Sequence, residues 1–199
     1  MRIAILTDLH YGERIAGHPQ NDLADILLLR AVHRLNRLVQ PDATVVLGDV
    51  LDRGDAADGA MRRASLRTII EKLQSPWIII PGNHDGSPER FYRDFPRPAD
   101  IVDLKGVRFL PFVDQDEPEY NASRLPADID RFAAARRDYS GPIVALQHVC
   151  LAPPDRVNSP YNYLNAADII SAMRRSGVAL SLSGHHHPGS DSIEDGPLT

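Results

Sequence analysis

Five short apolar segments constrain the fold of this 199-residue chain more than any other feature. Each is four or five residues long, is rich in β-branched residues and is bounded by Gly, Pro, Asp or Asn, which is typical of buried strands in a layered α/β protein. The segments are Ile3–Leu6, Thr44–Leu47, Trp77–Ile80, Ile143–Leu146 and Val178–Leu182. Amphipathic stretches separate most of them, so the sequence predicts a single α/β domain over residues 1–199.

Apolar residues at helical spacing predict the helices between these strands. The first helix is expected to follow a capping Asn21 or Asp22. Its apolar positions are Leu23, Ile26, Leu27, Leu35 and Leu38. Two further helices are indicated by Met61, Ile69, Ile70 and Leu73 and by Ile169, Ile170 and Met173. The last of these is expected to begin near Asn165 and to end at Gly177.

Turn-forming residues mark the connections. Ser87-Pro88 predicts the start of a short helix that runs through Phe95, and Lys105-Gly106 predicts a hairpin turn. The segments Asp114–Pro126 and Leu151–Asn165 are polar and rich in proline, so both are interpreted as loops.

Composition limits the classes of partner and compartment. The net charge of −5, from 22 basic and 27 acidic residues, argues against a nucleic-acid partner, which needs a basic surface. The single cysteine, Cys150, leaves no internal disulfide and is typical of a reducing compartment. No apolar run approaches the ~18 residues of a membrane span, and the first residues do not read as a signal peptide. The sequence therefore predicts a cytoplasmic protein without a membrane partner.

Polar residues with metal-binding chemistry follow the predicted strands. Six of the eight histidines lie at or near strand ends: His10, His84, His148, His185, His186 and His187. The same ends supply Asp8, Asp49, Asp52, Asn83 and Asp85. Ligands of α/β sheets gather where the carboxyl ends of strands meet, so the pattern predicts one convergent polar site. A mixed set of Asp, Asn and His favours manganese, iron or zinc over calcium.

Each motif has a structural alternative when it is taken alone. Asp8 and His10 would point to the same side if strand geometry continued through them, but such a pair also arises by chance. The segment Gly82–Asp85 could be an ordinary turn. His148 by itself is typical of a hydrogen-bonded structural histidine. The argument therefore depends on the ordered set.

That ordered set resembles the signature of the calcineurin-like metallophosphoesterase superfamily. It consists of Asp8-x-His10, Gly48-Asp49-x-x-Asp52-Arg53, Gly82-Asn83-His84-Asp85, His148 and Gly184-His185-x-His187. The resemblance extends from residue 8 to residue 187. It implies a four-layer β-sandwich flanked by helices, with a dinuclear metal centre at the strand ends. The two divalent ions would be manganese, iron or zinc.

The resemblance also implies a role for each residue. Asp49 would bridge the two ions. The first ion would be held by Asp8, His10 and His187, and the second by Asn83, His148 and His185. His84 would contact the phosphate or protonate the leaving group, with Asp52 orienting it and Asp85 supporting the loop. Arg53 would contact the phosphate, as the arginine of a similar segment does in protein phosphatases.

The implied reaction is in-line hydrolysis of a phosphoester by a metal-bridging hydroxide. The motifs are most similar to class III cyclic nucleotide phosphodiesterases, which favours a small phosphodiester substrate of nucleotide type. A phosphomonoesterase, a nuclease and a non-catalytic scaffold are the alternatives. The loops Tyr11–Asn21, Asp114–Pro126 and Leu151–Asn165 are expected to form the rim that selects the substrate, where Tyr161 and Tyr163 could stack on a base or anchor the loop. Twelve residues follow His187, whereas the family usually adds further strands there. We therefore expect either a truncated chain or a neighbouring subunit, in a homo-oligomer, that covers the open sheet edge.

Overall fold

The computed structural model describes residues 1–14, 20–153, 156 and 159–194. The strands in this part of the chain are β1 Ile3–Leu6, β2 Ala43–Leu47, β3 Trp77–Ile80, β4 Val102–Leu104, β5 Val107–Pro111, β6 Gln115–Glu117, β7 Asn121–Ser123, β8 Ile143–Leu146 and β9 Val178–Leu182. The α-helices are α1 Ala24–Arg34, α2 Gly59–Ile70, α3 Pro88–Asp94, α4 Pro126–Arg136 and α5 Ala166–Arg175. All five predicted strands are present, and β2 begins one residue earlier than expected.

The strands form two main sheets and one separate hairpin. The first sheet has the order β1-β2-β3 and is entirely parallel. The second has the order β4-β5-β8-β9, in which only the β4–β5 pair is antiparallel. Strands β6 and β7 pair with each other. Parallel strands direct their carboxyl ends to one edge, so the loops that follow β1, β2 and β3 emerge together.

Three hydrophobic clusters connect these elements. One joins side chains of both main sheets: Val45, Leu47, Ile78, Ile80, Phe109, Val144 and Leu146. Another joins β2 and β3 to α1, α2 and α3 through Val46, Ile79, Leu28, Leu66 and Phe91. The third joins β5 and β8 to α4 and α5 through Leu110, Ala145, Phe132 and Ile169. Neighbouring residues of β2 therefore belong to different clusters, as the alternation of side chains along a strand requires. The α/β class is confirmed, and the four-layer order stays a prediction.

Helix α1 buries a different face from the one that the sequence indicated. Its buried residues are Ala24, Leu28 and Val32, whereas Leu27 and Leu38 are exposed. The leucines of this helix offer two apolar stripes, and spacing alone does not show which one packs on the sheet. A π-helical turn at Leu35–Val39 also changes the register after α1. The capping prediction was wrong as well, because Leu23 occupies the N-cap and makes no side-chain capping bond.

The segment Asp114–Pro126 is not the unstructured loop that we expected, because it contains the β6–β7 hairpin. Helix α4 begins at the end of this segment, at Pro126. The turn at Lys105-Gly106 is confirmed, with both residues in the left-handed region. Ser87 caps α3 by accepting a hydrogen bond from the Arg90 amide. Within the described residues, no helix combines the length and apolar character that crossing a bilayer requires.

Candidate metal centre

The polar residues predicted from the strand ends lie together in the structure. Some of these side chains lie in the loops after β1, β2 and β3 of the first sheet, and the others lie in the loops after β8 and β9 of the second sheet. Their ligand atoms group into overlapping sets of three, each within 4.8 Å. We call Asp8, His10 and His187 the open cluster and Asp49, His148 and His185 the buried cluster. A third set, His10, Asp49 and His84, overlaps both of them.

The open cluster joins the loops after β1 and β9. His10 Nε2 lies 3.1 Å from His187 Nε2, and His187 Nε2 lies 3.4 Å from Asp8 Oδ1. The amide of His185 donates to the Asp8 carboxylate, with 3.0 Å between His185 N and Asp8 Oδ2. That backbone bond holds the two loops at a fixed separation.

The buried cluster joins the loops after β2, β8 and β9. His148 Nε2 lies 3.2 Å from Asp49 Oδ2 and 3.2 Å from His185 Nδ1. Asn83 Oδ1, from the loop after β3, lies 3.1 Å from the same His148 nitrogen. Asp49 also connects the two clusters, because its Oδ2 is 3.6 Å from His10 Nε2.

Main-chain carbonyl groups orient the imidazoles of the buried cluster. His148 Nδ1 donates to the Leu47 carbonyl at 2.7 Å, and His185 Nε2 donates to the Tyr120 carbonyl at 3.0 Å. The other nitrogen of each ring then faces the cluster. This arrangement is typical of metal-binding histidines, whose outer N–H group is held by a carbonyl or a carboxylate.

The backbone around these side chains is strained. Asp8, His10, Asp49 and His185 all have φ between 45° and 68°, a region that costs non-glycine residues energy. Strand geometry therefore does not continue through Asp8 and His10, so the condition for the same-side argument is not met, although both residues belong to the open cluster. Gly48 has φ +91°, and a β-carbon there would lie 2.5 Å from the Gly82 amide nitrogen. Only glycine allows the loops after β2 and β3 to approach so closely.

Asp85 connects the loop after β2 to the loop after β3 through hydrogen bonds. It is fully buried, and its carboxylate accepts hydrogen bonds from the amides of Leu51 and Gly82, each at 2.9 Å. Burial, together with the nearby charge of Asp49, raises the pKa of Asp85 to about 7. Asp85 thus occupies the loop-supporting position that the sequence suggested.

The chemistry of the donor set fits metal ions. In the buried cluster His148 Nε2 faces two oxygen acceptors at 3.1–3.2 Å, an approach that is repulsive unless a proton or a cation lies between them. Burial opposes a charge on His148, but Asp49 outweighs it and raises the pKa of His148 to about 9. Burial lowers the pKa of His10, which favours a neutral, metal-binding imidazole. A divalent cation would take the place of the proton on His148.

Comparison with known families identifies the class of protein. A profile of the calcineurin-like phosphoesterase family matches residues 1–189. The chain belongs to this family. No curated protein matches the sequence significantly. As a calcineurin-like phosphoesterase with clustered His and Asp side chains that could hold metal ions, the protein is a metal-dependent phosphoester hydrolase.

Solved structures share the fold of this calcineurin-like phosphoesterase. The protein TT1561 of Thermus thermophilus superposes with a TM-score of 0.63 at 17% identity, over 92% of this chain and 80% of that one. The purple acid phosphatase PPD1 from seeds of yellow lupin (Lupinus luteus) superposes with a TM-score of 0.59 at 15% identity. It is a longer protein, since the match covers 92% of this chain and 37% of the lupin chain. At these identities the likeness concerns the fold.

The remaining predicted residues of this phosphoesterase surround the two clusters. The His84 ring centroid lies 4.9 Å from that of His10, and His84 Nδ1 donates to the main-chain carbonyl of Asp52 at 2.8 Å. The Asp52 carboxylate points elsewhere, with Oδ1 3.7 Å from His10 Nδ1. Arg53 is exposed, and its guanidinium makes no ion pair or hydrogen bond with any described residue. Asp52 therefore contacts His84 through its backbone.

The β6–β7 hairpin is the part of the site that the sequence did not reveal. Besides the Tyr120 carbonyl that holds His185, it places the Tyr120 ring parallel to His84, with centroids 6.3 Å apart. Glu119 and Tyr120 both have left-handed backbone, for which these residue types give no sequence signal. Tyr161 packs edge-on against His185, whereas Tyr163 is buried and anchors its loop. Residues 15–19, 154–155 and 157–158 of the predicted rim lie outside the described residues.

Proposed function

We propose that this protein is a phosphodiesterase that hydrolyses a small, nucleotide-type substrate, with 3′,5′-cyclic nucleotides as one candidate class. The observation that carries the proposal is the position of His84 beside both ligand clusters. A phosphodiester releases an alkoxide, which leaves more readily when an acid protonates it. His84 can supply that proton from Nε2, because its Nδ1 is already held by the Asp52 carbonyl.

The proposed ligands follow the two clusters. Asp8, His10 and His187 would hold one ion, while Asn83, His148 and His185 would hold the second, and Asp49 would contact both. Bound divalent cations lower the pKa of water and neutralise the charge that builds up on a phosphoryl group. The protein contributes the orientation, because the carbonyls of Leu47 and Tyr120 fix two of the imidazoles.

Two further groups complete the proposed site. With both ring nitrogens protonated, His84 would keep its bond to Asp52 while it donates from Nε2 to the departing oxygen. The free, exposed guanidinium of Arg53 would then contact the phosphoryl oxygens, whose negative charge increases in the transition state. Neither role needs a covalent bond between the protein and the phosphoryl group.

A phosphomonoesterase is the second candidate. The fold is shared with a protein described as a purple acid phosphatase, and the same clusters of ligands suit a terminal phosphate. A nuclease has less support, because acidic residues outnumber basic ones by 27 to 22. A scaffold without catalysis has the least, because the chain carries every ligand that the superfamily signature contains.

The decisive experiment compares bis-p-nitrophenyl phosphate with p-nitrophenyl phosphate after manganese loading, with an EDTA-treated sample as the control. We expect metal-dependent hydrolysis with preference for the diester. Preference for the monoester would transfer the assignment to a phosphatase. Inactivity towards both esters in protein with bound manganese would contradict both candidates.

A matched pair of variants tests the role of His84. His84→Asn should slow hydrolysis of a diester with a poor leaving group by about 10²-fold or more, and should affect the p-nitrophenyl ester far less, because p-nitrophenolate leaves without a proton. His33→Asn, on the exposed side of α1, serves as the control. Equal losses on both substrates would show that His84 is not the acid.

A further inference from the structure

A cavity of about 430 Å³ adjoins the buried cluster and has no role in the site described so far. It lies between the loop after β3 and the β6–β7 hairpin, and Asn83 and His148 form part of its wall. Its apolar lining includes Phe112, Val149 and Tyr163. Two acidic residues, Asp114 and Asp116, also line it. A group attached to a phosphorus atom at the metal centre could extend into this space.

The carboxylate of Asp114 serves the fold. Arg124 donates to it twice, at 2.7 and 2.8 Å, and the Tyr163 hydroxyl donates to it at 2.6 Å. The buried Arg124 guanidinium also lies 3.7 Å from the centroid of the Phe112 ring. These contacts neutralise Asp114 and hold one wall of the cavity rigid.

The carboxylate of Asp116 has no such partner. It makes no hydrogen bond and no ion pair with any described residue, although it lines the same cavity. The residue is exposed as a whole, but partial burial of its carboxyl raises its pKa. His148, Asp49 and His84 are close enough to act on its charge. A carboxylate that has no protein partner at a cavity wall can accept a hydrogen bond from a donor on a bound molecule.

We propose that Asp116 binds an amino or hydroxyl group on the alcohol portion of the substrate, so that this cavity selects phosphodiesters of amino or hydroxy alcohols. The hydroxyls of a ribose belong to this class. A second phosphate would be repelled by the unpaired carboxylate. This inference rests on the proposed phosphodiesterase activity and names the group that its substrate presents.

The test uses two diesters that release the same phenol, 2-aminoethyl p-nitrophenyl phosphate and propyl p-nitrophenyl phosphate. They differ in one terminal group, an ammonium in place of a methyl. The manganese-loaded wild-type protein should show a kcat/KM about tenfold higher for the aminoethyl ester, as a charge-assisted hydrogen bond predicts. In Asp116→Asn the ratio should fall to within about twofold of unity, because the amide is neutral.

The matched control is Glu119→Gln, which removes a negative charge from the same hairpin at a residue outside the cavity lining. It should keep the wild-type ratio. A wild-type ratio near one would overturn the proposal, as would an Asp116→Asn variant that keeps the preference. If Asp116→Asn lost hydrolysis of both diesters and also lost its bound manganese, the proposal would be overturned, because Asp116 would then act at the metal centre. Failure of the wild type to hydrolyse any diester, bis-p-nitrophenyl phosphate included, would instead refute the phosphodiesterase proposal on which this one rests.

Discussion

The two ligand clusters are built from the same residue types but differ in how the protein holds them. In the buried cluster the side chains of Asp49 and His148 are 2% and 7% exposed, whereas His187 of the open cluster is 60% exposed. Carbonyl groups orient both imidazoles of the buried cluster, but His187 has no carbonyl partner among the described residues. The buried cluster is therefore preorganised, whereas the open cluster includes one solvent-exposed side chain, His187.

This difference indicates that one set of motifs can form two sites that differ in metal affinity. Preorganised ligands lose little conformational freedom when they bind an ion, so we expect the buried cluster to bind its ion more tightly. The open cluster should exchange its ion more readily, because His187 must be immobilised when an ion binds.

Removing the Asp49 carboxylate, which lies between the two clusters, should have the largest effect. In Asp49→Ala and Asp49→Asn, hydrolysis should fall by at least about 10³-fold, because both proposed ions would lose a common carboxylate ligand. Steady-state rates with saturating manganese measure this loss, and the exposed Asp100→Ala is the control. Substantial turnover in a folded, manganese-replete Asp49→Ala protein would refute the shared-ligand assignment.

A comparison of His148→Ala with His187→Ala tests the inequality directly. We expect the first change to weaken the tightest manganese binding by about 100-fold or more, and the second to weaken only the looser binding, by about tenfold. Calorimetric titration of chelator-dialysed protein separates the two affinities, with His33→Ala as the matched control. If both variants lose the same binding step, the two clusters are not independent in the way that their burial indicates.

The pH dependence of the free energy of unfolding tests the protonation of Asp85, which supports the loops of the buried cluster. Burial raises the pKa of Asp85 from 3.8 to about 7, so the folded protein holds this proton more tightly than the unfolded chain does. In metal-free protein its stabilising contribution should be complete below about pH 4 and should be lost as the pH rises towards 7, by at most about 1.4 kcal/mol per pH unit.

Urea unfolding at several pH values measures this slope. Asp85→Asn should remove it, whereas the exposed Asp100→Asn should retain it. Parallel stability curves for Asp85→Asn and the wild type would show that Asp85 is ionised in the folded protein across this range.

Much of the fold followed from local signals. Apolar segments such as Trp77–Ile80 are rich in β-branched residues, which predicts buried strands of a layered α/β protein. The polar residues that follow each of these strands gave the candidate metal ligands. The exposed Leu27 shows where this reasoning failed, because periodicity does not reveal which side of a helix meets the sheet. The β6–β7 hairpin was missed for a similar reason, since three-residue polar strands have no signal of their own.

By itself, the sequence determined the strands, the residue types at their ends and the family to which their order belongs. Tertiary structure alone decided that His148 is buried while His187 is exposed and that the Tyr120 carbonyl orients His185. It also decided that Asp116, unlike Asp114, has no hydrogen-bond or ion-pair partner among the described residues. The physical reason is the distance along the chain between the residues that interact. A strand is specified by neighbours within a few residues, whereas burial and hydrogen-bond partnership depend on segments that are distant in the chain and meet only after folding.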